Sequence, residues 1–117
     1  MDITCERVGR NLIVRIAGEI DHHSSGEVRS RIDGEYERSG ASNILIDFGN
    51  VGFIDSSGVG VLIGRYKMLE ARGSGRLVFF GADRHVSRLF DITGLSRIIK
   101  SADSLEQAVR ITEGGAA

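Results

Sequence analysis

The sequence predicts a single α/β domain with a mixed, mostly parallel sheet covered by helices. Two segments of alternating apolar residues open the chain, and a short glycine-containing connection joins them as a hairpin. Helix-like and strand-like segments then alternate to the end, which is typical of parallel βα units. The predicted order is β-β-α-β-α-β-α-β-α, and 117 residues suffice to bury a core in one domain.

The hairpin and the first helix occupy the first third of the chain. Residues 3–8 and 12–16 are the two predicted strands, because apolar and other residues alternate there with the period of a strand. Residues 24–38 predict a helix, with Ser24 or Ser25 as its N-cap. Its apolar residues fall on one helical stripe: Val28, Ile32 and Tyr36.

The middle third predicts two interior strands with a helix between them. Residues 43–48 and 76–81 are nearly continuous apolar runs, as expected for strands covered on both faces. We expect the first of these strands to end near Phe48 and a loop to carry residues 49–55. A helix then begins at the serines and continues to about Arg72, where apolar residues stop recurring at helical spacing.

The last third predicts a helix, a short strand and a final helix. Apolar residues at 86–93 form a helical stripe, and Gly94 fits the position after a helix, followed by the apolar Leu95. Ile98 and Ile99 are predicted as a short strand. A capping box at residues 103–106 predicts the start of the last helix. We therefore expect one domain over residues 1–113 and a flexible tail over 114–117.

Composition and charge argue against several functions. The formal net charge is −1, whereas domains that bind nucleic acid electrostatically usually carry a basic excess. Cys5 is the single cysteine, so no internal disulfide or cysteine-based zinc site is expected, and we predict a small residue of the sheet. The first ten residues do not resemble a signal peptide, and no apolar run is long enough to span a membrane. We expect a cytoplasmic protein without a cofactor.

The segment DSSGVGVLIGRYK, residues 55–67, is the strongest candidate for a functional site. Ser56 or Ser57 could simply cap the helix, since serine is a common N-cap residue. Glycine, however, destabilises a helix interior by about 1 kcal/mol relative to alanine, and this helix carries Gly58, Gly60 and Gly64. These glycines either allow close packing on the protein's own sheet or form a bare surface on which another molecule docks.

Three other functions, which would use this segment or the loop before the first helix, fit the sequence poorly. A small-ligand or nucleotide-binding domain could use the helix N-terminus at Ser56, but the last glycine of the dinucleotide-binding fingerprint is displaced by one position and the chain has no P-loop. Asp21, His22 and His23 could contribute to a metal site, but a catalytic metal normally needs three protein ligands and His85 is far along the chain. Asp21, His22 and Ser56 could form a hydrolase triad, but no G-x-S-x-G motif is present.

Three motifs give the chain a resemblance to a known family. GEIDHH at 18–23, FIDSSGVGVLIGRYK at 53–67 and RLFDITGLSRIIK at 88–100 resemble, in the same order, the anti-sigma factor antagonists of the STAS-domain family that act in sporulation. Stress-response members tend to carry threonine at the second hydroxyl and to lack the Arg-Tyr-Lys ending. Ile54 stands where methionine is expected, a difference that does not touch the chemistry.

The resemblance implies a phosphorylation switch. It implies binding to a SpoIIAB-like partner, an anti-sigma factor that is also a serine kinase, so that the sporulation sigma factor is released. It further implies that this kinase phosphorylates Ser56 and thereby ends binding, and that a SpoIIE-like phosphatase resets the serine. The implied partner-binding residues extend from the loop before the first helix along the glycine-rich helix: Asp21, Asp55, Ser56, Ser57, Gly58, Gly60 and Gly64. The protein would then be a kinase substrate rather than an enzyme.

Overall fold

A computed structural model describes residues 1–114 as one five-stranded sheet with five helices. The strand order is β1-β2-β3-β4-β5; β1 is antiparallel to β2, and the remaining neighbours are parallel. The predicted mixed sheet is therefore confirmed, while residues 115–117 of the predicted tail lie outside the described residues. The elements are β1 (Asp2–Val8), β2 (Asn11–Ile20), α1 (Ser25–Ser39), β3 (Asn43–Ile54), α2 (Ser56–Arg72), β4 (Leu77–Phe80), α3 (Arg84–Thr93), α4 (Leu95–Ile98), β5 (Lys100–Ala102) and α5 (Leu105–Thr112).

The helices cover the two faces of the sheet unequally. Helices α1 to α4 pack on one face, where Phe48, Phe79 and Phe90 meet with ring centroids about 5 Å apart. Helix α5 packs on the other face over a smaller apolar cluster. Alternate residues of β3 and β4 point to each cluster, which explains why both strands read as continuous apolar runs. None of the helices described over residues 1–114 is long and apolar enough to cross a membrane.

Strand β3 is longer than predicted. It continues past Phe48 to Ile54, so the expected loop over residues 49–55 is wrong. The second half of β3 pairs with the end of β2, where Gly18 lies opposite Val51 and Ile20 lies opposite Ile54, with two register shifts along the way. Glycines and polar residues interrupt the apolar period in this half, and pairing with the ten-residue β2 keeps it extended.

The segment after α3 also differs from the prediction. Gly94 ends α3 in the left-handed conformation, as expected. Leu95 is buried and begins the four-residue helix α4, so Ile98 lies in a helix and β5 starts only at Lys100. The predicted strand at Ile98 and Ile99 is therefore wrong by two residues, because the amide of Ile99 still donates to the carbonyl of Leu95.

A buried amide pair joins three strands at the amino end of the parallel sheet. The side chains of Asn11 and Asn43 are both 8% exposed, and Nδ2 of Asn43 donates to Oδ1 of Asn11 over 2.9 Å. The Oδ1 atom of Asn43 accepts from the backbone amide of Arg76, also at 2.9 Å. These bonds connect the beginnings of β2 and β3 with the residue before β4.

Candidate functional site

The candidate site lies where β2 and β3 end side by side. The backbone amide of Asp55 donates to the carbonyl of Ile20 over 3.2 Å, so the loop after β2 and the start of α2 are neighbours. Ligand sites in open α/β sheets gather at the carboxyl ends of the strands. The structure thus brings the Asp21 loop and the serines together, although Asp21 and Ser56 are 35 positions apart in the sequence.

Asp55, rather than a serine, caps helix α2. Its Oδ1 atom accepts from the amides of Ser57 at 2.8 Å and Gly58 at 3.1 Å. The prediction that Ser56 or Ser57 is the N-cap is therefore wrong, because Asp55 has the extended backbone of a cap residue and the serines already belong to the helix. The other oxygen of Asp55, Oδ2, accepts from the amide of His22 at 3.1 Å, so this carboxylate holds both loops.

The two serines differ in accessibility. Ser56, the first residue of α2, is exposed, whereas Ser57 is partly buried. No hydrogen bond is formed by the Ser56 hydroxyl within residues 1–114. Since Asp55 performs the capping, the Ser56 hydroxyl is free for other chemistry.

The three glycines of α2 do not form one surface. A Cβ atom on Gly58 would lie 2.5 Å from the carbonyl oxygen of Ile20, so this buried glycine allows close packing on the protein's own sheet. A Cβ atom on Gly60 or Gly64 would meet nothing within 4 Å. Assigning Gly58 to the bare docking surface is thus wrong, while Gly60 and Gly64 do leave open space beside the helix.

Asp21 organises the loop before α1. Its Oδ1 atom accepts from the amides of His23 at 2.9 Å and Ser24 at 3.1 Å. Burial acts to raise the pKa of the Asp21 carboxyl, but the hydrogen bonds from Ser24 and His23 outweigh it, and the pKa lies below its ordinary value. Ser24 precedes α1 as predicted, yet its hydroxyl donates to the carbonyl of Glu19 instead of capping the helix.

His22 and His23 lie at the exposed rim of the site. Their rings are in contact, with centroids 3.9 Å apart and planes tilted by 39°. The Nδ1 atom of His22 lies 3.8 Å from Oδ2 of Asp55, although the imidazole is 68% exposed. This contact could not be predicted from the sequence, because it depends on the parallel pairing of β2 with β3.

Sequence reasoning missed one residue beside the site and one farther along α2. Phe53 is 40% exposed although it lies within β3, two residues before Asp55. Arg65 of α2 is only 9% exposed, and its Nε atom lies 3.0 Å from Oδ1 of Asp33 on α1. Burial lowers the pKa of the Arg65 guanidinium, and Asp33 opposes that effect. This ion pair joins the two helices that begin at the site.

The geometry does not support the hydrolase, metal or nucleotide interpretations. Among the described residues His22 forms no hydrogen bond with Ser56, and Asp21 bonds backbone amides of its own loop. No group of three or more His, Cys, Asp or Glu side chains suited to a metal lies within residues 1–114. Asp55 occupies two helix amides that a phosphate would otherwise use, and adds negative charge there.

The fold and this arrangement agree with a match to the STAS domain family model, which covers residues 2–108. The chain belongs to the STAS domain family and, by the relatives below, to its anti-sigma factor antagonists, which are regulatory binding proteins.

Both kinds of antagonist occur among the relatives. The anti-sigma F factor antagonist of Paenibacillus polymyxa is 40% identical over 93 residues, which are 80% of this chain and 79% of that one. The anti-sigma-B factor antagonist of Listeria monocytogenes is 38% identical over 95 residues, covering 81% and 82% of the two chains. The structure of the anti-sigma factor antagonist SpoIIAA in its unphosphorylated form matches with a TM-score of 0.73 at 26% identity, over 98% of this chain and 100% of that one.

Proposed function

We propose that this protein is a phosphorylation-controlled antagonist of an anti-sigma factor in sporulation. The unphosphorylated chain binds a SpoIIAB-like protein, which is both anti-sigma factor and serine kinase, and thereby releases the sigma factor. The observation that carries the proposal is the exposed, unbonded hydroxyl of Ser56 on a helix that Asp55 caps independently. A kinase can reach this hydroxyl without unfolding the helix.

The docking surface in this proposal surrounds Ser56. It consists of Asp21, Asp55, Ser56, Ser57, Gly60 and Gly64, with Gly58 supporting it from below. The open space beside Gly60 and Gly64 lets a partner approach the helix backbone closely. Phe53 adds exposed apolar area next to the polar rim, a combination common at protein interfaces.

The switch follows from charge. Transfer of the γ-phosphoryl group of kinase-bound ATP to the Ser56 oxygen releases ADP and a proton, and adds a charge of about −1.5 to −2. This group would lie next to the carboxylate of Asp55, so the interface gains negative charge at a contact that must lose water. A partner that still holds nucleotide phosphates would be repelled. A SpoIIE-like phosphatase would hydrolyse the ester and restore binding.

In this proposal the switch operates in the cytoplasm, and the protein does not itself contact nucleic acid. The Paenibacillus relative supports an anti-sigma F factor as partner, and the Arg-Tyr-Lys sequence after Gly64 supports the sporulation branch. Measuring the affinity of the chain for an anti-sigma F factor and an anti-sigma-B factor tests this choice. Tighter binding to the anti-sigma-B factor would assign the protein to the other branch.

The phosphorylation site is tested with the kinase partner and Mg-ATP. We expect mass spectrometry to find one added phosphate on Ser56, and Ser56→Ala to abolish it. Ser57→Ala is the matched control and is expected to remain a substrate, because Ser57 is partly buried. Ser56→Asp is expected to weaken partner binding and leave the melting temperature nearly unchanged. Phosphate on Ser57 alone, or equal binding of both forms, would contradict the proposal.

A further inference from the structure

The histidine pair beside Asp55 has no part in the switch as described so far. The chain has three histidines, and two of them, His22 and His23, lie in the loop next to the start of α2. Both are exposed and contact each other at a tilt of 39°, so they do not serve the hydrophobic core. An exposed histidine is also the side chain that changes charge near neutral pH.

The backbone amide of His22 is bonded to the carboxylate of Asp55, and its ring lies beside the same carboxylate. Its amide donates to Oδ2 of Asp55 at 3.1 Å, and its Nδ1 atom lies 3.8 Å from the same oxygen. Asp55 immediately precedes Ser56, so a phosphoryl group on Ser56 would enter the space around this carboxylate. Its oxygens would need a cation or N–H donors to offset their proximity to Asp55.

The surrounding charges make the imidazole the available cation. Asp55 at the start of α2, Asp21 in the loop, Glu19 at the end of β2 and Glu27 in the first turn of α1 are all acidic. The amides of Ser57 and Gly58 are already bonded to Asp55. In the part of the chain that the structure describes, His22 is the cationisable side chain that contacts Asp55, and the ring of His23 lies against that of His22.

We propose that His22 is a positioning residue of the switch, whose protonated imidazole pairs with the phosphoryl group on Ser56. This inference rests on the proposed function, since it requires phosphate at Ser56. In the unmodified chain the imidazole faces Asp55, and in the phosphorylated chain it faces both the carboxylate and the phosphate. Pairing with a cation favours the dianionic phosphate, so the second ionisation of the phosphoserine reports whether the imidazole is in place.

The test is a ³¹P NMR titration of the chain with phosphoserine at position 56, incorporated during translation so that no kinase is needed. We expect the second ionisation of the phosphate to occur about 0.5 pH unit lower in the wild type than in His22→Gln, because a nearby cation favours the dianion. His85→Gln is the matched control, since His85 is exposed on α3. It is expected to titrate like the wild type.

The outcomes separate this inference from the proposed function. Identical titrations of wild type and His22→Gln would overturn the role of His22, and a shift in His23→Gln alone would transfer that role to His23. Neither result would affect the assignment of Ser56, which depends on the kinase assay. Because His22 is exposed, its variant is expected to melt within about 3 °C of the wild type, as surface substitutions usually change stability little.

Discussion

Gly58 and Gly60 lie two residues apart on α2, and their surroundings are opposite. Gly58 faces inward, with the carbonyl oxygen of Ile20 where its Cβ atom would be, whereas Gly60 faces open space, as does Gly64 one turn later. The first glycine is required by the fold, and the other two are not. The same residue type therefore serves packing on one side of a helix and accessibility on the other.

The largest effect is expected at Gly58. Gly58→Ala would place a methyl group 2.5 Å from a backbone oxygen that cannot move without disturbing the end of β2. We expect the free energy of unfolding to fall by about 1–3 kcal/mol, the usual cost of overpacking. Urea denaturation measures this change, with Gly60→Ala as the control on the same helix. Equal stability of the two variants would remove the distinction between the glycines.

A smaller effect of the opposite sign is expected at Gly60 and Gly64. Alanine at either position has room and would raise the free energy of unfolding by up to about 1 kcal/mol, because glycine is the poorer helix former. Under the proposed function, the new methyl groups would weaken partner binding by about tenfold, as an overpacked contact does. Denaturation and titration with the anti-sigma factor measure the two quantities. Unchanged affinity of the double variant would exclude these glycines from the interface.

The smallest effect concerns Asp21, which shapes the rim of the site rather than the helix. Its folded-state pKa lies below the ordinary value of 3.8, so the carboxylate contributes stability above that pH and loses it as the pH falls through the folded-state value. We therefore expect Asp21→Asn to melt lower than the wild type at pH 7 and the difference to shrink towards pH 3. A difference that stays constant with pH would contradict the role assigned to its hydrogen bonds.

Much of the fold follows from local patterns, and the departures have physical causes. The spacing of apolar residues and the positions of turn residues suffice to predict the hairpin, the interior strands and the end of α3 at Gly94. The second half of β3 could not be predicted, because it is held extended by pairing with β2 rather than by its own residues. The start of β5 shifted because a single buried residue, Leu95, continues the chain as a helix.

The position of the candidate site could be proposed from the sequence, but its geometry could not. The motif around Ser56 is the basis for the proposed phosphorylation site, and the structure shows that this serine is exposed. Three adjacent residues, Asp55, Ser56 and Ser57, could each have capped α2. The structure shows that Asp55 is the cap, because its carboxylate accepts from two backbone amides of the first turn. The roles of Gly58 and His22 depend on contacts with the end of β2 and with Asp55, which no spacing along the chain reveals.

The amide pair of Asn11 and Asn43 has a consequence for how the sheet assembles. A slip of β3 against β2 by one residue would separate Nδ2 of Asn43 from Oδ1 of Asn11. Both buried groups would then lack a hydrogen-bond partner. Such a slip would also displace the far end of β3, where Asp55 meets the turn after β2. The two asparagines at the amino end of the parallel strands thus fix the register that aligns the proposed site at the carboxyl end.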